Sequence, residues 1–388
     1  MDIRFTPEQE RYRAEVRAWI EKNLPRPANG NPFRGPDDED DNARFQKEWE
    51  RKLYDAGYSG VAWPRAYGGQ GLTFVEHYIV QEELGRVAAP EGINSIGREL
   101  VGPIMLAIGT EEQKRHYIPR LLRLDDVWCQ GFSEPNAGSD LASVQTHAVR
   151  DGAHWLITGQ KVWTSYARYS NFCILLARTD REALKHKGIT LFLMPMDLRG
   201  ITIKPLKQIT GRSEFNEVFL DDVRVADSLR LGAVNDGWRV ANGVLGFERA
   251  TTRLYRQARF ANELRALIAL LERSGSRRLA EDAGFRRRLA AVHVEIEVLR
   301  YHNLKVVSRI ANGATIGPEA SLQKLAWSEA HQKLADLAVD ILGEDFANGE
   351  AAEPFRDIYL QSRAETIYAG TSEIQRNIIA DRVLGLPR

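Results

Sequence analysis

The sequence predicts an α+β fold in three segments: an N-terminal helical domain over residues 1–125, a small antiparallel β-domain over 126–231 and a C-terminal four-helix bundle over 232–388. Three observations predict it. Helical periodicity dominates from Phe45 to Leu124, the texture beyond Asp126 changes to short β-rich runs between turn residues, and after Gly237-Trp238 long helical patterns return. Hydrophobic residues make up 43% of the 388 and charged residues 27%, which excludes disordered, collagen-like and coiled-coil classes.

Thr6-Pro7-Glu8-Gln9 reads as an N-cap, a proline at the first helical position and a capping-box partner, with Tyr12, Val16, Trp19 and Ile20 on one helical face. Pro25 to Asp41 carries prolines, glycines and the acidic run Asp37-Asp38-Glu39-Asp40-Asp41, and is expected as an exposed loop. The next helices are broken at Trp63-Pro64-Arg65-Ala66-Tyr67-Gly68-Gly69-Gln70-Gly71. Strands are expected at His154–Thr158, Lys161–Ser165, Phe172–Ala177, Ile189–Met194, Ile201–Ile203 and Glu217–Val225. In the last segment Val244, Phe247, Leu254, Ala258, Leu264, Ile268 and Leu271 follow one long helical pattern; Leu289, Val292, Ile296 and Leu299 form a second, and residues 319–341 a third.

Lys plus Arg equals Asp plus Glu at 53 each, and the signs are interspersed, so nucleic acid and acidic membranes are not expected partners. The only cysteines, Cys129 and Cys173, make no disulfide framework and no metal-ligand spacing, and read as inert thiols in a reducing compartment. The start Met1-Asp2-Ile3-Arg4-Phe5 lacks the apolar core of a signal peptide, and no stretch reaches the roughly 18 apolar residues of a membrane span. A cytoplasmic protein is expected.

Three stretches carry chemistry. Gly131-Phe132-Ser133-Glu134-Pro135-Asn136-Ala137-Gly138-Ser139-Asp140 is turn-forming, with hydroxyls and free backbone N–H groups that suit a polar ring edge or a phosphate; a plain β-turn has the same composition. Lys161-Val162-Trp163-Thr164-Ser165 places an indole beside two hydroxyls, as a packed core tryptophan also would. Tyr368-Ala369-Gly370-Thr371-Ser372-Glu373-Ile374-Gln375-Arg376-Asn377 opens a helix whose N–H groups suit an electron-rich ligand or serve as an ordinary cap.

In this order, with Trp63-Pro64 and Tyr67–Gly71 upstream, these stretches resemble the acyl-CoA dehydrogenase family, and the match runs the length of the chain. Gly109-Thr110-Glu111-Glu112-Gln113-Lys114, the run from Glu217 to Val225 and the terminal Val383-Leu384-Gly385-Leu386-Pro387 add to it. The resemblance implies an FAD enzyme, usually a tetramer, that takes the α-proton and β-hydride from an acyl-CoA and passes electrons to an acceptor such as an electron-transfer flavoprotein. It implies that Gln130, Gly131, Phe132 and Ser133 line the flavin ring and that Ser139 touches cofactor and thioester. Trp163 would cover one ring face, with Thr164 and Ser165 beside it, and Thr371 and Glu373 would contact the adenosine half.

Many members carry the catalytic glutamate immediately before the C-terminal Gly-Thr, where this chain has Ala369. A second branch places it one helix earlier in a Glu-Arg pair, which Gly246-Phe247-Glu248-Arg249-Ala250 supplies. The resemblance therefore implies Glu248 as base and Arg249 near the acyl-CoA, with Glu365 and Glu373 as fallback carboxylates; Glu365 would share the face of Ala369 if that stretch is helical. Asp340-Ile341-Leu342-Gly343-Glu344-Asp345 stands where the family has a glutamine and paired glycines, and residues 274–285 lack the usual Arg-x-x-Phe-Gly. This pattern resembles a branch acting on sterol side-chain or other bulky acyl-CoAs, in homotetramers, dimers of dimers or two-chain heteromers. A flavin oxidase or monooxygenase, or a non-catalytic structural subunit, are the alternatives on the same fold.

Overall fold

The structure, a computed structural model, describes residues 4–27, 30–31, 33–250, 254–274 and 281–387. In chain order the elements are α1 (Pro7–Asn23), α2 (Glu39–Asp55), α3 (Phe74–Arg86), α4 (Gly102–Ile108), α5 (Glu111–Leu122), β1 (Trp128–Gly131), β2 (His147–Asp151), β3 (His154–Ser165), β4 (Phe172–Arg178), β5 (Ile189–Pro195), β6 (Ile201–Leu206) and β7 (Phe215–Ala226). There follow α6 (Gly237–Ala250), α7 (Arg256–Ser274), α8 (Ala283–Ala311), α9 (Ala320–Leu342), α10 (Asp345–Asn348), α11 (Glu353–Glu365) and α12 (Ser372–Ile378). The order is helical, β, helical, as the sequence predicts. By contacts the chain forms two compact units, one of Asp38–Gly71 with Glu91–Glu248, the other of Met1–Asp37, Leu72–Pro90 and Arg249–Arg388.

The first unit is built on a seven-stranded sheet in the order β1-β4-β2-β3-β7-β6, with β5 on the other side of β4. β4 and β5 are buried along nearly their whole length, and their side chains alternate between two cores. Ile174, Leu176, Leu191 and Leu193 meet Leu100, Ile118, Leu121 and Val244 from the helices; Cys173, Leu175, Ala177, Phe192 and Met194 pack with Trp155, Val218 and Val223. The sheet departs from the antiparallel expectation at β1, which runs parallel to β4 through Trp128↔Phe172 and Gly131↔Leu175, and at one parallel pair between β2 and β4. Both strands are short runs without a clean alternation, and their place comes from β4 rather than from local propensity.

The acidic run corrects the loop reading. Asp38 caps α2, its carboxylate accepting from the N–H groups of Asp40 and Asp41, and Glu39, Asp40 and Asp41 form the first turn, where the positive end of the helix dipole favours them. At the start of α4 a Cβ on Gly102 would lie 1.9 Å from the Trp63 ring, so only glycine lets the indole of the Trp63–Gly71 turn pack against that helix.

In the second unit α1 and α3 both start with capping boxes, Thr6 with Gln9 and Thr73 with Glu76. Buried Glu83 of α3 collects Arg13, Arg17 and Arg86 at 3.0, 2.8 and 2.8 Å. Helices α7, α8, α9 and α11 enclose a core of Phe260, Leu267, Phe285, Ile296, Trp327, Leu334, Phe355 and Ile358. The long pattern expected from Val244 to Leu271 is divided between α6 and α7, with a turn at Leu254-Tyr255, and Ile268 is exposed; residues 251–253 of that pattern lie outside the described residues.

Candidate active site

β1 delivers the loop that begins at Gln130 and Gly131. A Cβ on Gly131 would come within 2.9 Å of Cys173 Sγ and Leu175 Cδ1, so β1 can lie this close to β4 only with glycine there. Phe132 then turns into the core, Ser133 is half-buried, and Glu134 and Ala137 close a tight turn through reciprocal N–H···O=C bonds of 3.0 Å. Ser139 is exposed beyond it. The loop is tied to β3 by Val162 N–H donating to the Ser133 carbonyl at 3.0 Å.

β3 is irregular at that point. Its pairing with β7 shifts between Lys161 and Thr164, and Trp163 sits in the bulge with φ +59°. The bulge leaves the indole 58% exposed, edge-on to Phe215 at 6.0 Å. That left-handed conformation costs a non-glycine residue about 1–2 kcal/mol, and bulges are used to re-aim a side chain. Thr164 is fully buried, its hydroxyl without a hydrogen-bond partner among the described residues, while Ser165 is half-buried at the strand end.

Beneath these residues lies a pair that the motif reading passes over. Lys161 is 0% exposed, and its ammonium donates to Glu134 Oε1 at 2.7 Å and to the Phe132 carbonyl at 3.2 Å. Glu134 Oε1 also accepts from the Thr146 N–H at 2.9 Å, and Oε2 accepts from the Gln145 N–H at 2.6 Å. A lysine at an inward-facing strand position is the sequence signal that it has a buried partner; that the partner is Glu134, in the turn after β1, is shown only by the fold.

Glu248 and Arg249 are half-buried in the last turn of α6, next to Phe247, which packs against the helix–sheet core. In the second unit Ala369 has φ +55° and Gly370 φ +90°, and the Thr371 hydroxyl caps α12 by accepting from Ile374 N–H at 3.2 Å. Glu373 is exposed on a depression of about 460 Å3 that Thr371, Thr366, Gln332 and Arg376 also line. Loop 130–139 and bulge 163–165 are thus brought together, whereas Thr371 and Glu373 belong to the other unit.

Glu365 does not share the face of Ala369. It closes α11, four residues before the left-handed Ala369, and its carboxylate is buried against His331 at 2.6 Å and Arg256 at 2.7 Å. Burial raises a carboxyl's pKa, but these two cations outweigh it and hold Glu365 at about 2, far too weak a base for an α-proton. A histidine on the inner face of α9 was the available signal.

The residues at 130–139 and 163–165 fit a flavin ring. An exposed indole supplies a flat apolar face, the half-buried hydroxyls of Ser133 and Ser165 supply a polar edge, and the bulge that presents them is strained, while the Thr164 hydroxyl lies buried behind that surface. Among the described residues no group of three or more His, Cys, Asp or Glu could hold a metal ion, and no helix is long and apolar enough to cross a membrane.

Family models described as the acyl-CoA dehydrogenase N-terminal, middle and C-terminal domains match residues 6–125, 129–223 and 235–384. The chain is 42% identical over 384 residues to acyl-CoA dehydrogenase IpdE1 of Mycobacterium tuberculosis, covering 98% of each chain. It is 31% identical to the human mitochondrial short-chain specific acyl-CoA dehydrogenase over 86% of this chain and 82% of that one. Among solved structures, the Tcur3481–Tcur3483 steroid ACAD matches with TM-score 0.87 at 31% identity, and the ChsE4–ChsE5 complex of Mycobacterium tuberculosis with 0.85 at 30%, each over 100% of both chains. With all three domain models matched and relatives this similar over nearly the whole length, the chain belongs to the acyl-CoA dehydrogenase family of oxidoreductases.

Proposed function

We propose that the chain is an FAD-dependent dehydrogenase that converts an acyl-CoA thioester to its trans-2-enoyl-CoA with Glu248 as base. The observation that carries this reading is the exposed Trp163 indole on a strained bulge, flanked by the half-buried Ser165 and by the loop from Gln130 to Ser133. FAD, when bound, accepts the β-hydride. The chain's own residues do the rest. Trp163 would cover one ring face and keep water from the reacting carbons, while the backbone of Gln130, Gly131 and Phe132 and the hydroxyls of Ser133 and Ser165 would meet the ring's polar edge, with Thr164 buried behind them. Glu248 removes the α-proton; a thioester proton is weakly acidic, so this requires a desolvated carboxylate and a hydrogen-bonded carbonyl that stabilises the enolate. Ser139 and Arg249 contact the acyl-CoA, and Thr371 and Glu373 the adenosine half of FAD.

The acyl group is proposed to be bulky, branched or ring-bearing. Ala369 stands where a glutamate would take volume beside the substrate, and the relative at 31% identity is named a steroid ACAD. Both solved neighbours bear two component names, which supports an assembly with a second, related chain. Electrons then pass to an acceptor such as an electron-transfer flavoprotein.

Purified protein should be yellow and titrate with FAD, and Glu248→Gln should retain FAD while reduction by acyl-CoA falls about 10²–10⁴-fold. Colourless protein that takes up no FAD rejects the cofactor, an unimpaired variant rejects the base, and preference for butyryl- over ring-bearing acyl-CoA rejects the substrate class.

A further inference from the structure

Lys161 is the one charged side chain on the inward face of the β3 bulge, and stability does not explain it. Removing an ammonium and a carboxylate from water costs several kcal/mol each, and a methionine of similar volume would pack the site at least as well. Burial does disfavour its charge, lowering the ammonium's pKa; burial would raise the Glu134 carboxyl, but Lys161 and the Gln145 amide outweigh it and hold that carboxyl below its usual range. What the pair does achieve is directional.

Each group of the pair touches a different piece of the surface above it. The ammonium reaches the carbonyl of Phe132, one residue before Ser133, and its own backbone lies two residues before Trp163. Glu134 fixes the turn to Gln145 and Thr146, the two residues just before β2. Between them, the Val162 N–H binds the Ser133 carbonyl. The buried pair and this backbone bond together set the separation between the loop carrying Ser133 and the bulge carrying Trp163. With an apolar contact in place of the pair, which is non-directional, the backbone bond alone would hold it.

We propose that Lys161 and Glu134 are positioning residues that hold loop 131–134 and bulge 162–164 at the spacing a flavin ring requires. This rests on the reading that FAD binds there. The pair acts through Ser133 and Trp163, whose relative placement would rest on the Val162–Ser133 backbone bond alone without it.

The test compares wild type, Lys161→Met and the double variant Lys161→Met/Glu134→Gln by FAD titration, with quenching of flavin fluorescence as the report of contact with Trp163. The single variant leaves a buried carboxylate unpaired and is expected to unfold. The double variant removes both charges at nearly constant volume, its carboxamide accepting only one of the Gln145 and Thr146 N–H groups; it should fold with wild-type circular dichroism at a lowered melting temperature, yet bind FAD about tenfold or more weakly, with brighter bound flavin. A double variant that binds and quenches FAD like wild type overturns the proposal, as does one that cannot fold, because the pair is then purely structural. Wild-type protein that takes up no FAD refutes the functional reading instead, and the comparison keeps the two failures apart.

Discussion

His331 Nδ1 lies 2.6 Å from Glu365 Oε2, with both side chains buried, and its other ring nitrogen lies 2.9 Å from Glu263 Oε2. Facing a carboxylate with each nitrogen, the ring must donate from both, which only the imidazolium can do. Burial alone would expel the proton, but the two carboxylates raise the pKa to about 9. Phe260 stacks on the ring at 4.2 Å, and Arg256 reaches Glu365 while lying over Trp327 at 4.2 Å. Arg256 also donates to the Tyr368 hydroxyl at 3.3 Å, so the network anchors the residue that precedes Ala369.

The first prediction concerns alkaline stability. The folded-state pKa of His331 is raised from 6.5 to about 9, so its stabilisation is complete below pH 6.5 and is lost as pH rises through about 9. Urea unfolding followed by tryptophan fluorescence should show stability declining across that window in wild type and not in His331→Gln. Equal slopes in both would place the proton elsewhere.

The acid limb has the opposite sign. Glu365 is depressed from 4.5 to about 2, so its contribution is present above pH 4.5 and disappears as pH falls through about 2. Glu365→Gln, measured at neutral pH, should cost about 3–5 kcal/mol of unfolding free energy, since it leaves two buried cations short of a partner. In whatever fraction remains folded, reduction by acyl-CoA should persist. A folded Glu365→Gln protein that cannot be reduced would return the base to this segment.

Ala369 has φ +55°, a conformation glycine adopts without penalty. Ala369→Gly should stabilise the protein by up to about 1 kcal/mol, the relief of left-handed strain less the extra freedom glycine gains when unfolded. A lowered melting temperature would mean that the methyl group packs well enough to outweigh the strain.

Asp38 caps α2 with two backbone bonds. Asp38→Ala should cost about 1 kcal/mol and speed amide hydrogen exchange along the helix about fivefold. Unchanged exchange would show that packing of Trp49 and Leu53 alone holds the helix.

Features whose information sits within a few residues were legible in the sequence. The capping box at Thr6 and Gln9 was readable because its partners are three residues apart, and β4 and β5 because a short apolar run of β-formers needs no partner to be recognised. Family motifs singled out the loop at 130–139, the stretch Lys161–Ser165 and the Glu248-Arg249 pair as candidates, while the bulge at Trp163 came only with the structure. The acidic run misled because charge density argues for solvent, whereas Asp38 and the helix dipole turn the same charges into a helix start. Only the tertiary structure decided which charges face one another inside. Lys161 and Glu134 are 27 residues apart, His331 and Glu365 34, His331 and Glu263 68, and Arg256 and Glu365 109. No local period links such positions, so the sequence can mark Lys161 and His331 as inward-facing but cannot name their partners. It is the fold that removes water from both at once, and that shared desolvation turns surface residues into the buried pairs beneath the proposed flavin loop and before Ala369.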